Sequence, residues 1–271
     1  MSTNQPQQDL IFFTDNSLIP NDVISSQDSY LSVITHVLGT SPTWLINSLI
    51  ENALVGTSSI VNTDLKRIDN RSNVIVASFS QPQEFYVKNC KKNGLDLGNN
   101  DRFQFMDCFS MLFTKLITKP EDAKLEIDGL FDKIVKLARE SNTVIFIEAP
   151  EILLYATNAT SGDILFNLHK LQKKCRQLFV ISSKDYPQYL DFDASNPQDV
   201  SFKSSDFLIK LHHKSSLNVT LEPLSTGRAK DITGSITISR GSIPYDITAK
   251  VCEREYIYHI TKDSNVKLYY R

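Results

Sequence analysis

Apolar positions along this chain follow two periods, and the change from one to the other divides it. Leu31–Thr35, Asn73–Phe79 (NVIVASF), Phe103–Met106, Thr143–Glu148 (TVIFIE) and Leu178–Ser182 are short, nearly continuous apolar runs. Such runs predict strands buried on both faces. Between them the spacing turns helical. Phe109, Leu112, Phe113, Leu116 and Ile117 form one stripe, and Ile127, Leu130, Phe131, Ile134 and Ala138 form another. Ile164, Leu165, Leu168 and Leu171 mark a helix over about Asp163–Cys175. Stripes at i, i+3 and i+4 are expected to face a core.

After residue 182 the pattern changes. Residues 184–205 read as a polar connection with two prolines. Short strands are then predicted at Phe207–His212, Asn218–Leu221, Ile232–Ser239, Tyr245–Val251, Glu255–Ile260 and Val266–Tyr270. Alternating β and α units followed by a β-meander predict an α/β fold, with a mostly parallel central sheet flanked by helices and antiparallel strands at its edge. Residues 1–9 are expected to be a flexible N-terminus. Leu10–Phe13 reads as a short strand, Thr14–Ser29 as polar linker, and 10–271 as one domain.

Composition narrows the function classes. The 271 residues are 41% hydrophobic and 22% charged, which suits a globular chain with a large core. A net charge of −2 argues against a whole-surface field for nucleic acid and leaves local patches open. Cys90, Cys108, Cys175 and Cys252 are scattered, with no C-x-x-C, so zinc and thioredoxin-like readings lack support. Reduced, packing thiols in a cytoplasmic or nuclear protein are the expectation. The start, MSTNQPQQDL, carries no apolar signal region, and no apolar run approaches the ~20 residues of a membrane helix.

The segment THVLGTSPTWLINSLIE has the layout of a phosphate-binding loop: strand, short loop, helix. That loop needs G-x-x-x-x-G-K-[ST], so that backbone N–H groups cradle phosphate and a lysine reaches it. Here the first glycine position holds His36, the second Ser41 and the lysine position Pro42; only Thr43 keeps its type. Proline brings neither charge nor N–H. No Gly-Lys pair occurs anywhere in the chain. In a purely structural reading Ser41 caps a helix that begins at Pro42. Glu148, at the end of TVIFIE, occupies the place where P-loop ATPases keep a magnesium-holding acid. Without a triphosphate to bridge, it reads as a relic or a structural carboxylate.

Other segments offer weaker signals. In LEPLSTGRAKDITGSITISRG, Gly227 and Gly234 punctuate a hairpin, and Arg228, Lys230 and Arg240 add charge. A solvated hairpin explains this. An arginine on a rigid strand can instead reach a neighbouring subunit's phosphate. Lys210, His212, His213 and Lys214 form one basic cluster, and Lys170, Lys173, Lys174 and Arg176 another. Both read first as solvated faces. Tyr186, Tyr189 and Phe192 are able to stack on bases, but Asp185, Asp191, Asp193 and Asp199 surround them and oppose RNA. No catalytic or metal motif finds local support.

Taken together, PLSTGRAKDITGSITISRG, EREYIYHITKDSNVKLYYR, the degenerate loop and VIFIEAPEILL resemble the subunit 6 family of the Elongator complex, over roughly residues 9–271. The resemblance implies a RecA-like fold without working Walker motifs. It implies partners: Elongator subunits 4 and 5 in a hetero-hexameric ring with two copies of each, and the catalytic subcomplex of subunits 1, 2 and 3. It also implies tRNA binding under ATP control, in support of C5 modification of the wobble uridine of tRNA. No catalytic residue is expected in this chain, and ATP is expected at ring interfaces rather than in its own P-loop.

The run ITISRGSIPYDITAK is similar to the C-terminal strand of RecA-type clock ATPases, whose arginine reaches the ATP of the next subunit. By that pattern Arg240 is the candidate for a contact in trans, with Arg228 and Lys230 beside it. The clock ATPases also place a lysine two residues earlier, where this chain has Ile238. RecA topology would turn the loops at about Tyr155–Gly162 and Lys184–Ser205 to the ring's centre, making Lys184 and Lys203 candidates for tRNA. Two other readings stay open: a protein-interaction scaffold with no nucleic-acid role, and a nucleotide hydrolase with an unrecognised site.

Overall fold

The computed structural model describes residues 29–69, 71–118, 123–185, 196, 198–224, 227, 231–242, 251 and 253–270. Expectations for 1–28, for Arg228 and Lys230, for Tyr186, Tyr189 and Phe192, for Cys252 and for most of the Tyr245–Val251 strand lie outside them.

The strands are β1 (Tyr30–His36), β2 (Asn73–Ser78), β3 (Phe103–Asp107), β4 (Thr143–Glu148), β5 (Gln177–Ser183), β6 (Leu217–Glu222), β7 (Gly234–Arg240), β8 (Arg254–Ile260) and β9 (Val266–Tyr270). They form one nine-stranded sheet in the order β3-β2-β4-β5-β1-β6-β7-β8-β9. Every pairing from β3 across to β6 is parallel, and β6 through β9 pair antiparallel.

The continuous apolar runs have a direct explanation here. Successive strand side chains point to opposite faces, and both faces are covered. On one face Ile34, Val76, Phe146, Phe179 and Ile181 pack with α1 (Thr43–Val55) and α2 (Gln83–Lys92), and Phe146 stacks on Phe179 at 4.8 Å. On the other, Val33, Ile75, Ile145, Ile147 and Val180 pack with the remaining helices. These are α3 (Cys108–Met111), which continues as a π-helical turn (Leu112–Leu116), α4 (Ala123–Leu137), α5 (Ile152–Ala156), α6 (Ser161–Gln172) and α7 (Val200–His213).

Helix α1 is buried on every side, from Trp44 through Leu54. Its Trp44 ring lies 5.3 Å from that of Tyr258 on β8. The C-terminal meander therefore curls over the helix, and its inward residues Ile236, Tyr256, Tyr258 and Leu268 share the first core.

Three sequence expectations are corrected. Phe207–His212 is not a strand but the last part of α7. Its buried residues Phe207, Leu208 and Leu211 have helical spacing, and Asp199 caps the helix by accepting from Phe202 N at 2.9 Å. The basic cluster at Lys210–Lys214 is accordingly helical. The stripe at Phe109–Ile117 is only half a core face: Leu112 and Leu116 are buried, while Phe109, Phe113 and Ile117 are exposed. The wider π turn sets those three at i, i+4 on the outside, and Phe109 meets Phe113 edge-on at 5.0 Å. Arg176 is no solvated cation; it is buried and donates through Nη1 to Asn142 Oδ1 at 3.2 Å. Helix α2, a mostly polar run with only Tyr86 and Cys90 buried, was not anticipated.

Candidate functional site

The C-terminal ends of the parallel strands β1, β2, β4 and β5 open onto a cleft of about 650 Å³. His36, Thr40, Ser41, Pro42 and Thr43 form one wall. Ser80, Gln81, Glu148, Glu151, Tyr155, Ser183 and Asp185 supply most of the rest. This is where an open α/β sheet places its ligands. The loop His36–Thr43 and Glu148 are thus brought together at one cleft.

Several of the loop's backbone donors are engaged within the protein. Val37 N donates to Thr40 Oγ1 at 3.3 Å, and Thr40 N donates to Val37 O at 3.0 Å. Leu38 N donates to the Asp185 carboxylate, and Thr43 N lies 3.4 Å from Ser41 Oγ. Pro42 has no N–H to give. Four of the loop's backbone donors are thus engaged within the protein. The helix begins one residue later than expected: Pro42 is the cap residue and Thr43 the first helical one, with Ile46 N donating to Pro42 O at 2.9 Å.

Glu148 is a structural carboxylate in this geometry. It is 9% exposed, and its Oε2 accepts from Ser78 Oγ at 2.6 Å and from the Tyr86 hydroxyl. Burial, then the carboxylate beside it, pushes the Tyr86 phenol well above its ordinary range, so it stays a donor. Immediately after β4, Ala149 has φ 57°, a left-handed conformation that costs a non-glycine residue roughly 1 kcal/mol or more. Its N–H donates to Ile181 O at 2.8 Å. The turn through Pro150 brings Glu151 back to the cleft.

Glu151 is the residue that sequence reasoning missed. It is 3% exposed, and its Oε1 accepts from Ser183 N at 2.9 Å. Its Oε2 is fully buried, and the Ser182 hydroxyl and the residue's own N–H also act on the carboxylate. Burial pushes its pKa up to about 7, helped by the Glu148 charge and opposed by the bonds it accepts. Half-buried His36 is held below its ordinary pKa by burial, against the pull of Asp185 and Glu148. In sequence, Glu151 looks like any acid opening a short helix after a proline.

The other candidates lie apart. Arg240 is exposed at the end of β7, and its backbone N donates to Glu253 Oε1 at 2.9 Å. It pairs with Leu217, which pairs with Ser32. Arg240 is therefore level with Ser32, four residues before His36, or about 13 Å back along the strand direction. It sits at the opposite end of the sheet from its own P-loop. Lys184 follows β5 and pairs with Glu222. Lys203 is in α7 rather than a loop and is 5% exposed, with burial lowering its pKa. Tyr155 likewise belongs to a helix, and its hydroxyl lies 3.0 Å from Ser204 Oγ. Cys90, Cys108 and Cys175 are buried free thiols; burial pushes Cys90 and Cys175 up to about 12 and Cys108 higher. Among the described residues no His/Cys/Asp/Glu group fit for a metal ion occurs, and no helix is long and apolar enough to cross a membrane.

A mostly parallel sheet flanked by helices, with an antiparallel meander beyond β6, defines a RecA-like fold. Two solved structures share it: the flagellar accessory protein FlaH from Methanocaldococcus jannaschii (TM-score 0.54, 9% identity, covering 93% of this chain and 95% of that one) and a KaiC-like protein from Pyrococcus horikoshii (0.54, 10%, 89% and 90%). At such identities the likeness concerns fold alone. No protein-family model matches the chain. Elongator complex protein 6 of Saccharomyces cerevisiae is 31% identical over 277 aligned positions, covering 98% of both proteins. The Schizosaccharomyces pombe homolog is 26% identical over 208, covering 71% of this chain and 77% of that protein. The chain belongs to the Elongator complex protein 6 family.

Proposed function

We propose that this chain is a non-catalytic subunit of the Elongator accessory ring, a hetero-hexamer with subunits 4 and 5 that binds tRNA under ATP control. In that role it supports C5 modification of the wobble uridine and associates with the catalytic subcomplex of subunits 1, 2 and 3, in the cytoplasm and also the nucleus. Full-length similarity to Elongator complex protein 6 supports the assignment to the complex. The observation that carries the non-catalytic reading is the closed loop. Val37, Leu38, Thr40 and Thr43 spend their N–H groups internally, Pro42 replaces the lysine, and among the described residues no lysine or arginine lines the cleft. A triphosphate would meet acidic side chains and no compensating cation among the described lining residues, and like charge opposes binding.

Nucleotide is then handled between subunits. The place of Arg240, at the far end of the sheet from its own loop, suits a contact in trans, with Arg228 and Lys230 nearby in sequence. For tRNA, Lys184 is the better placed of the two candidate lysines; Lys203 would need its cover in α7 removed. Native mass measurement of the chain mixed with subunits 4 and 5 tests the ring. A free monomer that ignores both would overturn the proposal.

A further inference from the structure

A second pocket, of about 170 Å³, lies on the other side of Thr43 from the cleft. It sits between the first turn of α1, the last turn of α2 and the end of β8, and Thr43, Trp44, Asn47, Ile60, Lys92 and Ile260 line it. Trp44 and the two isoleucines give it an apolar wall. Lys92 is exposed and makes no ion pair among the described residues, and no described lining residue is a carboxylate.

Asn47 supplies the observation that points to a ligand. The residue is 4% exposed, and its Oδ1 accepts from the Cys90 thiol at 3.7 Å. Its Nδ2 makes no hydrogen bond among the described residues and is not enclosed, so it opens to the pocket that Asn47 lines. Side-chain amides so deep in a fold normally have partners. Thr43 Oγ1 accepts from Ser41 Oγ at 2.9 Å, which leaves its own proton to donate. Thr43 also begins α1, whose N-terminal end is the positive one.

We propose that this pocket takes an aliphatic carboxylate. Its head receives the Asn47 amide, the Thr43 hydroxyl and the Lys92 ammonium, and its hydrocarbon stem lies on Trp44, Ile60 and Ile260. One ammonium at a helix N-terminus balances a single negative charge, and the apolar wall needs a hydrocarbon body; a bare phosphate dianion lacks the second and exceeds the first. A free aliphatic acid and an aspartate or glutamate of a neighbouring subunit both present this group.

Trp44 is the chain's single tryptophan, so its indole N–H resonance reports on the pocket without ambiguity. Butyrate is titrated into the full chain at constant ionic strength. A saturable indole shift is expected. Affinity should be about tenfold weaker for the uncharged butyramide, for inorganic phosphate and for butyrate with Lys92→Gln, the scale of a lost charge-assisted bond. No saturable shift with butyrate, equal affinity for butyramide or phosphate, or unchanged affinity in the Gln variant would overturn the inference. Subunits 4 and 5, added to the chain labelled at its tryptophan, separate the two sources. A butyrate response that persists assigns the pocket to a free acid. A lost response, with weaker assembly of Lys92→Gln, assigns it to a neighbour's side chain. That last comparison rests on the ring proposed above; failure to join those subunits would overturn the ring and leave the titration standing.

Discussion

Ser78 and Glu148 face each other across the β2–β4 ladder, and the serine hydroxyl donates to Glu148 Oε2 at 2.6 Å. Glu148 is thereby a cross-strand fastener, with Tyr86 of α2 as its second donor. Glu148→Ala would strand two buried hydroxyl donors, which costs about 2–3 kcal/mol in total. Glu148→Gln keeps an acceptor and should lose about half as much. Urea unfolding of the isolated chain measures both; equal stability of wild type and the Ala variant would refute the structural role.

Glu151 makes stability depend on pH with a definite sign. Its folded pKa is raised from 4.5 to about 7. Between these values the folded protein keeps a proton that the unfolded chain has released, so stability falls as pH rises through that window. The shift corresponds to ~3 kcal/mol lost by neutral pH. His36, with a lowered pKa, acts in the opposite sense below pH 6.5. The difference between Glu151→Gln and wild type removes that contribution. The Gln variant should gain stability relative to wild type as pH rises from 4.5 to 7, and a pH-independent difference would contradict the burial argument.

Gly241 follows Arg240 for a packing reason. A Cβ there would lie 1.9 Å from Ser215 O and 2.3 Å from Ser215 C, both backbone atoms that cannot give way locally. Gly241 N also donates to Ser216 O at 2.9 Å. Gly241→Ala should destabilise the chain by about 3 kcal/mol or more. Arg240→Ala, at an exposed site, should leave the melting temperature unchanged while lowering nucleotide turnover by the assembled ring. If ring assembly and turnover both survive Arg240→Ala, the contact in trans is wrong.

Binding of tRNA should belong to the ring and fall steeply with salt, because phosphate contacts release counter-ions. The isolated chain, with net charge −2 and its candidate lysines paired or buried, should bind weakly near physiological salt. Filter binding across a salt series checks this; tight binding by the chain alone would contradict it.

Much of the sheet was legible in the sequence, because strands such as Thr143–Glu148 must be apolar on both faces. The meeting of the loop His36–Thr43 with Glu148 was legible because both stand at strand ends of the parallel sheet, whose C-terminal ends share one edge. Phe207–His212 reads as a strand because its run of Phe207, Leu208 and Ile209 is short and continuously apolar, which strands and buried helix segments share. The Asp199 cap of α7 was the available signal. The exposed Phe113 was hidden by a π turn, which no periodicity based on 3.6 residues detects. Glu151 was invisible, since its raised pKa comes from burial that only the folded turn after Ala149 creates.

The contact between Trp44 and Tyr258 has a mechanical consequence. It fastens the helix behind the degenerate loop to the C-terminal strands, inside a core shared by both. A segment so enclosed cannot slide or tilt without unpacking β8. In a ring that responds to ATP, this subunit would then behave as a rigid wedge, and movement would have to arise at its seams with other subunits.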